Sequence, residues 1–468
     1  MTDTVERLIR HANANLPASR IRWFDLLRIP SISAQPQHAG DCRAAAEWIR
    51  DRLAEIGFQA SVRETKRHPV VVAHHPGPGG DVPHLLYYGH YDVQPADPLE
   101  LWTSPPFEPT VVDGPHGKRV VARGAVDDKG QTMMWLEALR AWHGVAGGPP
   151  ARITVLIEGE EEIGSPSLED FLEDNTDELR ADVVVISDTG MWDIATPAIT
   201  TRLRGLLYTQ IDITAAIRDL HSGLYGGSAL NPINLLTRIL GDLKDEAGTI
   251  LIPGFYDGVQ DVPPELARQW DALGFSEQKF LGNIGLSAPA GEMGRGALER
   301  LWARPTADIN GIWGGYTGEG SKTVIPSSAH AKLSFRLVPG QNPTAILKGL
   351  HDYIVARLPE DAAAKIQVFG LGPGIEIPSD STWVRAAQAA LQDEFGKPPV
   401  LIGSGGSIPV VESFQRILGM DSLLVGFGLE DDQVHSPNEK FEMSCFECGL
   451  RSHVRLLARL AASGQRPV

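Results

Sequence analysis

The chain has little of what would mark a secreted, membrane-spanning or nucleic-acid-binding protein. Its 468 residues include only three cysteines, Cys42, Cys445 and Cys448, too few for a disulfide framework and in keeping with a reducing compartment. Cys445 and Cys448 form a Cys-x-x-Cys, but no second pair completes a zinc site, and the spacing sets two thiols on adjacent turns of a C-terminal helix. No apolar run reaches the length of a membrane span, and the opening Met-Thr-Asp-Thr-Val-Glu-Arg lacks the basic-then-apolar pattern of an export signal. A cytoplasmic protein is expected. Basic residues are also scarce: 42 against 59 acidic ones leave a net charge of −17, which disfavours nucleic acid or an anionic membrane as partner. Internal repeats and low-complexity segments are missing. The run Gly403-Ser404-Gly405-Gly406-Ser407 has the composition of a phosphate loop without its Lys-Ser/Thr, so it reads as a backbone-lined turn beside a substrate.

What is present is an ordinary globular composition, 42% apolar and 22% charged, on a chain longer than one hydrophobic core usually fills. Residues 3–57 read as helices, and residues 41–56 carry a one-sided stripe of Cys42, Ala45, Ala46, Ile49, Leu53 and Ile56 closed by Gly57. Short apolar strands follow, and four of them share a habit. Residues 85–89 run into His90, residues 152–157 into the acidic group Glu158 to Glu162, residues 183–186 into Asp188, and residues 423–427 into a loop carrying His435. In a doubly wound parallel sheet the carboxyl ends of such strands converge on one crevice. A His, Asp or Glu at each of four strand ends points to a metal site. Taken alone, Asp127 before a helix could equally be an N-cap.

Between residues 203 and 378 the pattern changes. A strand at 205–214, a helix capped by Asn231, a strand at 309–314 and an alternating strand around 330–337 come first. A helix at 343–358 and a strand at 365–370 complete the order β-α-β-β-α-β, with an insertion at about residues 247–308. The expected fold is therefore α/β: a catalytic domain over residues 1–202, an inserted ferredoxin-like α+β lid or dimerisation domain over 203–378, and the rest of the catalytic domain over 379–468.

Taken together, Gly89-His90-Tyr91-Asp92-Val93-Gln94-Pro95, Gly124-Ala125-Val126-Asp127-Asp128-Lys129-Gly130, the acidic run from Glu158 to Ser165, Ser187-Asp188, Asp219-Leu220-His221-Ser222-Gly223, Lys322-Thr323-Val324-Ile325-Pro326, Gly405-Gly406-Ser407-Ile408-Pro409 and His435-Ser436-Pro437-Asn438-Glu439 carry a resemblance. In this order they resemble the dizinc metallopeptidase family of aminoacylase, succinyl-diaminopimelate desuccinylase and carnosinase, most of all its cytosolic nonspecific dipeptidases. The resemblance implies two Zn²⁺ per subunit, with Mn²⁺ or Co²⁺ able to use the same ligands. Asp127 would bridge them, His90 and Asp188 would complete one site, and Glu162 and His435 the other. Asp92 would accept the second ring N–H of His90, and Glu161 would be the general base for a metal-bridging water. The resemblance also implies a cis peptide after Asp127 and metals roughly 3.5–4 Å apart.

For the second domain, the resemblance implies a homodimer in which His221 reaches the partner's site and helps hold an oxyanion. Arg336 falls on the polar face of its strand, where a guanidinium could grip a substrate's terminal carboxylate in bidentate fashion. Thr323 and Ser407 match substrate-contacting positions. Gly403-Ser404 departs from relatives that carry an arginine and an acid there. His74 and His75 match no ligand and read as surface residues. The expected activity is hydrolysis of short peptides, with N-acyl-amino-acid deacylation, or a non-catalytic scaffold of the same fold, as alternatives.

Overall fold

The apolar runs of the sequence become the strands of a large sheet, and their order places the candidate residues. The computed structural model describes residues 2–406 and 408–463, which form two compact units. The first unit comprises residues 1–201, 377–402 and 409–468 as far as these are described, and begins with helices α1 (Thr2–Leu27) and α2 (Ala39–Ala54). The expected stripe of α2, from Cys42 to Leu53, is fully buried and packs against strands β1 (Gln59–Arg63) and β2 (Val70–His75). Strand β3 (His84–His90) follows, then the hairpin of β4 (Thr110–Gly114) and β5 (Gly117–Val121). Helix α3 (Lys129–Ala146) is buried along nearly its whole length and ends at Gly147, whose φ of 81° is the left-handed conformation that favours glycine. Strands β6 (Arg152–Glu158), β7 (Val183–Ile186) and β8 (Ala198–Leu203) complete this part.

The second unit, residues 202–376 and 403–408, contains β9 (Gly205–Thr214), the short β10 (Leu220–His221), β11 (Thr306–Gly314), β12 (Val324–Ile325), β13 (Ser328–Leu337), β14 (Ala363–Gly372) and β15 (Ile375–Glu376). Its four-stranded antiparallel sheet runs β11-β13-β9-β14. With helices Pro232–Gly241 and Pro343–Val355 between the strands, this is the ferredoxin-like order expected from the sequence. Strict alternation along β13, with Ala331, Leu333, Phe335 and Leu337 inward, builds a core shared with Leu236, Ile239 and Leu350 of the helices. Gly405 and Gly406 join this unit through Arg204, whose Nε and N donate to their carbonyl oxygens.

The chain then supplies β16 (Val400–Ser404), β17 (Asp421–Leu424) and β18 (Lys440–Glu442), and ends in helix Met443–Ser463. In the large sheet the order is β1-β2-β6-β3-β7-β17-β8. Only its centre, β6-β3-β7-β17, is parallel; β1, β2 and β8 pair antiparallel at the flanks. Those four parallel strands are the ones whose ends carry the acidic run, His90, Asp188 and the His435 loop. A small sheet, β18-β5-β4, ties the C-terminal segment to the hairpin. Among the described residues, no helix is long and apolar enough to cross a membrane.

His74 and His75 are not the surface residues the sequence suggested. They end β2 half-buried, with His74 Nδ1 3.0 Å from Thr154 Oγ1 and its Nε2 2.8 Å from Glu178 Oε1. A strand-end position paired with β6 buries them, which the Gly/Pro turn that follows had obscured.

Candidate metal centre

His90 closes β3 and is fully buried. Its Nδ1 lies 3.1 Å from the main-chain oxygen of Asp92 and 3.4 Å from Asp92 Oδ1. Nδ1 thus faces oxygens of Asp92, and Nε2 is the ring nitrogen turned toward the acidic cluster. That Nε2 lies 3.1 Å from Asp127 Oδ1 and 3.9 Å from Asp188 Oδ2, yet its geometry makes no hydrogen bond. A buried nitrogen with no hydrogen-bond partner, aimed between two carboxylates, suits a shared cation.

Asp127 is the common member of two groups of potential metal donors. One is His90, Asp127 and Asp188, and the other is Asp127, Glu162 and His435; within each, one donor atom per residue lies within 4.8 Å of the others. His435 Nε2 stands 3.0 Å from both Asp127 Oδ2 and Glu162 Oε2. Two imidazoles and three carboxylates give a net charge that two divalent cations and one hydroxide nearly neutralise. The donor set fits a dinuclear centre. The peptide between Asp127 and Asp128 is cis, as the resemblance implied. Asp128, not Asp127, occupies the N-cap position of α3; its Oδ2 accepts from Thr132 Oγ1 at 2.9 Å and from the His90 N–H at 3.2 Å.

The electrostatics of the site are those of crowded anions. Burial penalises ionisation of Asp127, but His435 and His90 outweigh it and hold its carboxyl well below the usual range. Burial, followed by the field of Asp127, pushes Asp188 up to about 7. Glu161 is pushed well up by burial and by the carboxylates of Asp188, Asp127 and Asp92. Hydrogen bonds to Asp127 and Glu162 raise His435 to about 10. His90 is raised as well, since Asp127 and Asp92 overcome the effect of burial. A pocket that draws protons onto both imidazoles would hold metal cations by the same field.

Asp92 also binds the acidic turn. Its carboxylate accepts the backbone N–H groups of Glu161 at 3.2 Å and Glu162 at 3.1 Å, so it holds the turn that carries both glutamates. Gln94, to which sequence reasoning assigned no role, donates from Nε2 to Glu162 Oε2 at 2.8 Å and to the Glu162 carbonyl at 3.1 Å. Glu158, at the end of β6, is buried and pushed up to about 7 by burial while receiving hydrogen bonds from Tyr88 and Ser165. The sequence grouped Glu158 with its acidic neighbours; it faces the core instead.

In the second unit, His221 and Thr323 come together. β10 pairs with β12 through His221 and Val324, and the Ser222 N–H donates to the Thr323 carbonyl at 3.0 Å. Both side chains are exposed, and His221 Nδ1 accepts the Gly223 N–H at 3.0 Å. Arg336 is half-buried on the polar face of β13, as the alternation predicted. Ser407 lies outside the described residues.

Comparison with known proteins identifies the family. A profile of peptidase family M20/M25/M40 matches residues 86–459. The chain is 34% identical to human Beta-Ala-His dipeptidase over 362 residues, covering 76% of this chain and 70% of that protein. It is 31% identical to the Cys-Gly metallodipeptidase DUG1 of Candida albicans, covering 96% of this chain and 94% of the other. Among solved structures, the M20 family metallo-carboxypeptidase Sso-CP2 from Sulfolobus solfataricus superposes with a TM-score of 0.83 at 30% identity, covering 95% of this chain and 99% of that one. The family expected from the motifs is thus the one found: the chain belongs to peptidase family M20/M25/M40 and is a metallopeptidase.

Proposed function

We propose that the protein is a dinuclear zinc dipeptidase, cleaving the amide bond of short peptides that carry a free terminal carboxylate. The observation that carries this reading is the pair of donor groups sharing Asp127, with Glu161 in the adjoining turn. Relatives named for Beta-Ala-His and Cys-Gly dipeptidase activity support the choice of substrate class. In this reading His90 and Asp188 would hold one Zn²⁺ and Glu162 and His435 the other, with Asp127 common to both groups. When bound, the pair of ions supplies Lewis acidity and a water of lowered pKa.

The remaining work falls to side chains of this chain. Glu161 takes the proton of the attacking water as its oxygen bonds to the amide carbon, then delivers that proton to the leaving nitrogen as the carbon–nitrogen bond breaks. Burial suits it to the second task, since a carboxyl raised above its ordinary range holds a proton more readily. Arg336 grips the terminal carboxylate, and Thr323 and Ser407 contact the substrate. The protein works as a homodimer in which His221, exposed on its ribbon, donates to the developing oxyanion in the partner's site.

Turnover of a dipeptide panel beside an N-acyl-amino-acid panel, with the zinc-loaded protein, tests this. Cleavage of dipeptides is expected. Activity confined to N-acyl amino acids would replace the dipeptidase by a deacylase.

A further inference from the structure

Glu439 ends the loop that carries His435 and begins the small sheet. The register of β18 against β5, with Lys440 opposite Val121, places Glu439 beside Ala122, whose N–H donates to the Glu439 carbonyl at 3.1 Å. Its side chain is fully buried and meets four donors. Oε2 accepts from Arg123 Nη1 at 2.8 Å and from the Gly124 N–H at 3.0 Å, and Oε1 from the N–H groups of Val126 at 3.0 Å and Asp127 at 3.2 Å. A single carboxylate therefore fills the concave face of the turn that presents Asp127, in the manner of an anion held by a backbone nest.

The other end of this connection is equally fixed. Gln433, His435 and Asn438 all take left-handed φ values, 56°, 61° and 65°, uncommon for non-glycine residues though less so for His and Asn. Asn438 Oδ1 accepts from the N–H and hydroxyl of Thr103 at 2.7 and 2.8 Å. Lys440 Nζ donates to Asp432 Oδ1 at 2.6 Å, closing the loop at its base. Arg123 also donates from Nη2 to the Pro95 carbonyl at 3.1 Å, which joins the segment following His90 to the same pair.

We propose that Glu439 is a positioning residue of the metal centre: by bonding the backbone of Gly124, Val126 and Asp127 from four residues beyond His435, it holds Asp127 and His435 in register for one shared ion. This rests on the reading of the site as a dinuclear zinc centre. The group His90, Asp127 and Asp188 has its own brace, since the His90 N–H is bonded by Asp128. The group Asp127, Glu162 and His435 spans the two segments that Glu439 joins. Loss of the carboxylate should therefore act on one zinc more than on the other.

The test is stepwise zinc binding to the full-length apoprotein, read as metal per chain against a series of zinc buffers, with Co²⁺ absorption as a geometric signature. In Glu439→Gln one acceptor oxygen becomes an N–H₂ facing donors. One of the two binding steps should lose about 10–100-fold in affinity, the usual effect of removing an outer-shell partner, with the other step changed far less and the Co²⁺ spectrum altered. If that variant does not fold, Arg123→Lys, which keeps the charge but loses the planar fork, should shift the same step by a smaller factor. Equal weakening of both steps, or none, overturns the positioning role. Wild-type protein that binds fewer than two zinc ions overturns the dinuclear reading itself, and this inference with it.

Discussion

Gln94 and Glu162 are joined twice, through the Gln94 amide to both the carboxylate and the carbonyl of Glu162, across 68 residues of sequence. One oxygen of Glu162 is thereby fixed while the same carboxylate faces His435 at 3.0 Å. Gln94→Ala would leave the carboxylate free to rotate. Zinc affinity should fall about 10–100-fold, the range for orienting partners of metal ligands. Equilibrium dialysis measures it, and unchanged affinity would remove Gln94 from the site.

On the proposed mechanism, Glu161→Gln separates proton transfer from metal holding. The amide keeps the shape of the side chain but accepts no proton, so kcat should fall by about 10²–10⁴, the contribution typical of a general base. Zinc content, read by elemental analysis, should be unchanged. Retained turnover would sink the assignment.

Removal of metal should destabilise the fold, because the ligands are brought together only in the folded chain. At free zinc about 100-fold above Kd, binding to the folded state alone adds roughly 2.7 kcal/mol for one site. A chelator should lower the thermal midpoint of the wild type and leave that of Asp127→Asn nearly where it was. A shift of equal size in both would place the zinc elsewhere.

Acid stability should depend on His453. Its ring is fully buried against Trp135 and Phe427, and burial lowers its pKa to about 3 from the usual 6.5. The unfolded chain therefore binds a proton near pH 6.5 that the folded chain refuses until about pH 3. The neutral ring's contribution is complete above pH 6.5 and is lost progressively as pH falls toward 3, by up to about 4 kcal/mol. His453→Gln cannot titrate, so its unfolding free energy should fall less steeply over that interval, by about one proton's worth of slope. Denaturant titrations at pH 7, 5 and 4 provide the comparison, and parallel slopes would contradict it.

Gly159 separates the buried Glu158 from the turn of Glu161 and Glu162. A Cβ built there would lie 2.1 Å from the Tyr91 hydroxyl, which is held by the Pro69 carbonyl at 2.6 Å. Gly159→Ala should therefore cost about 1–3 kcal/mol of stability, as overpacking of a filled core does, and displace the glutamate turn. Both the thermal midpoint and kcat should drop. An unaffected variant would mean that Tyr91 yields without cost.

How much of this was legible in the residues follows from which features are local. Strand-length apolar runs ending in His90, the acidic run, Asp188 and the His435 loop were readable because periodicity and strand length are properties of neighbouring residues. The β-α-β-β-α-β order of the second unit was readable for the same reason, and the motif order alone identified the family. Side-chain partnerships were not. Which acid of the run faces inward, that Asp92 braces the Glu161–Glu162 backbone, and that Gln94 holds Glu162 all depend on packing between distant segments. The same is true of His74 and His75, half-buried where they pair with β6, and of Glu439, whose partner Arg123 lies 316 residues away. Sequence alone thus determined the family and the strands that deliver the candidate donors. The tertiary structure decided what holds each donor in place, because a buried polar group must find its partners wherever the folded chain brings them.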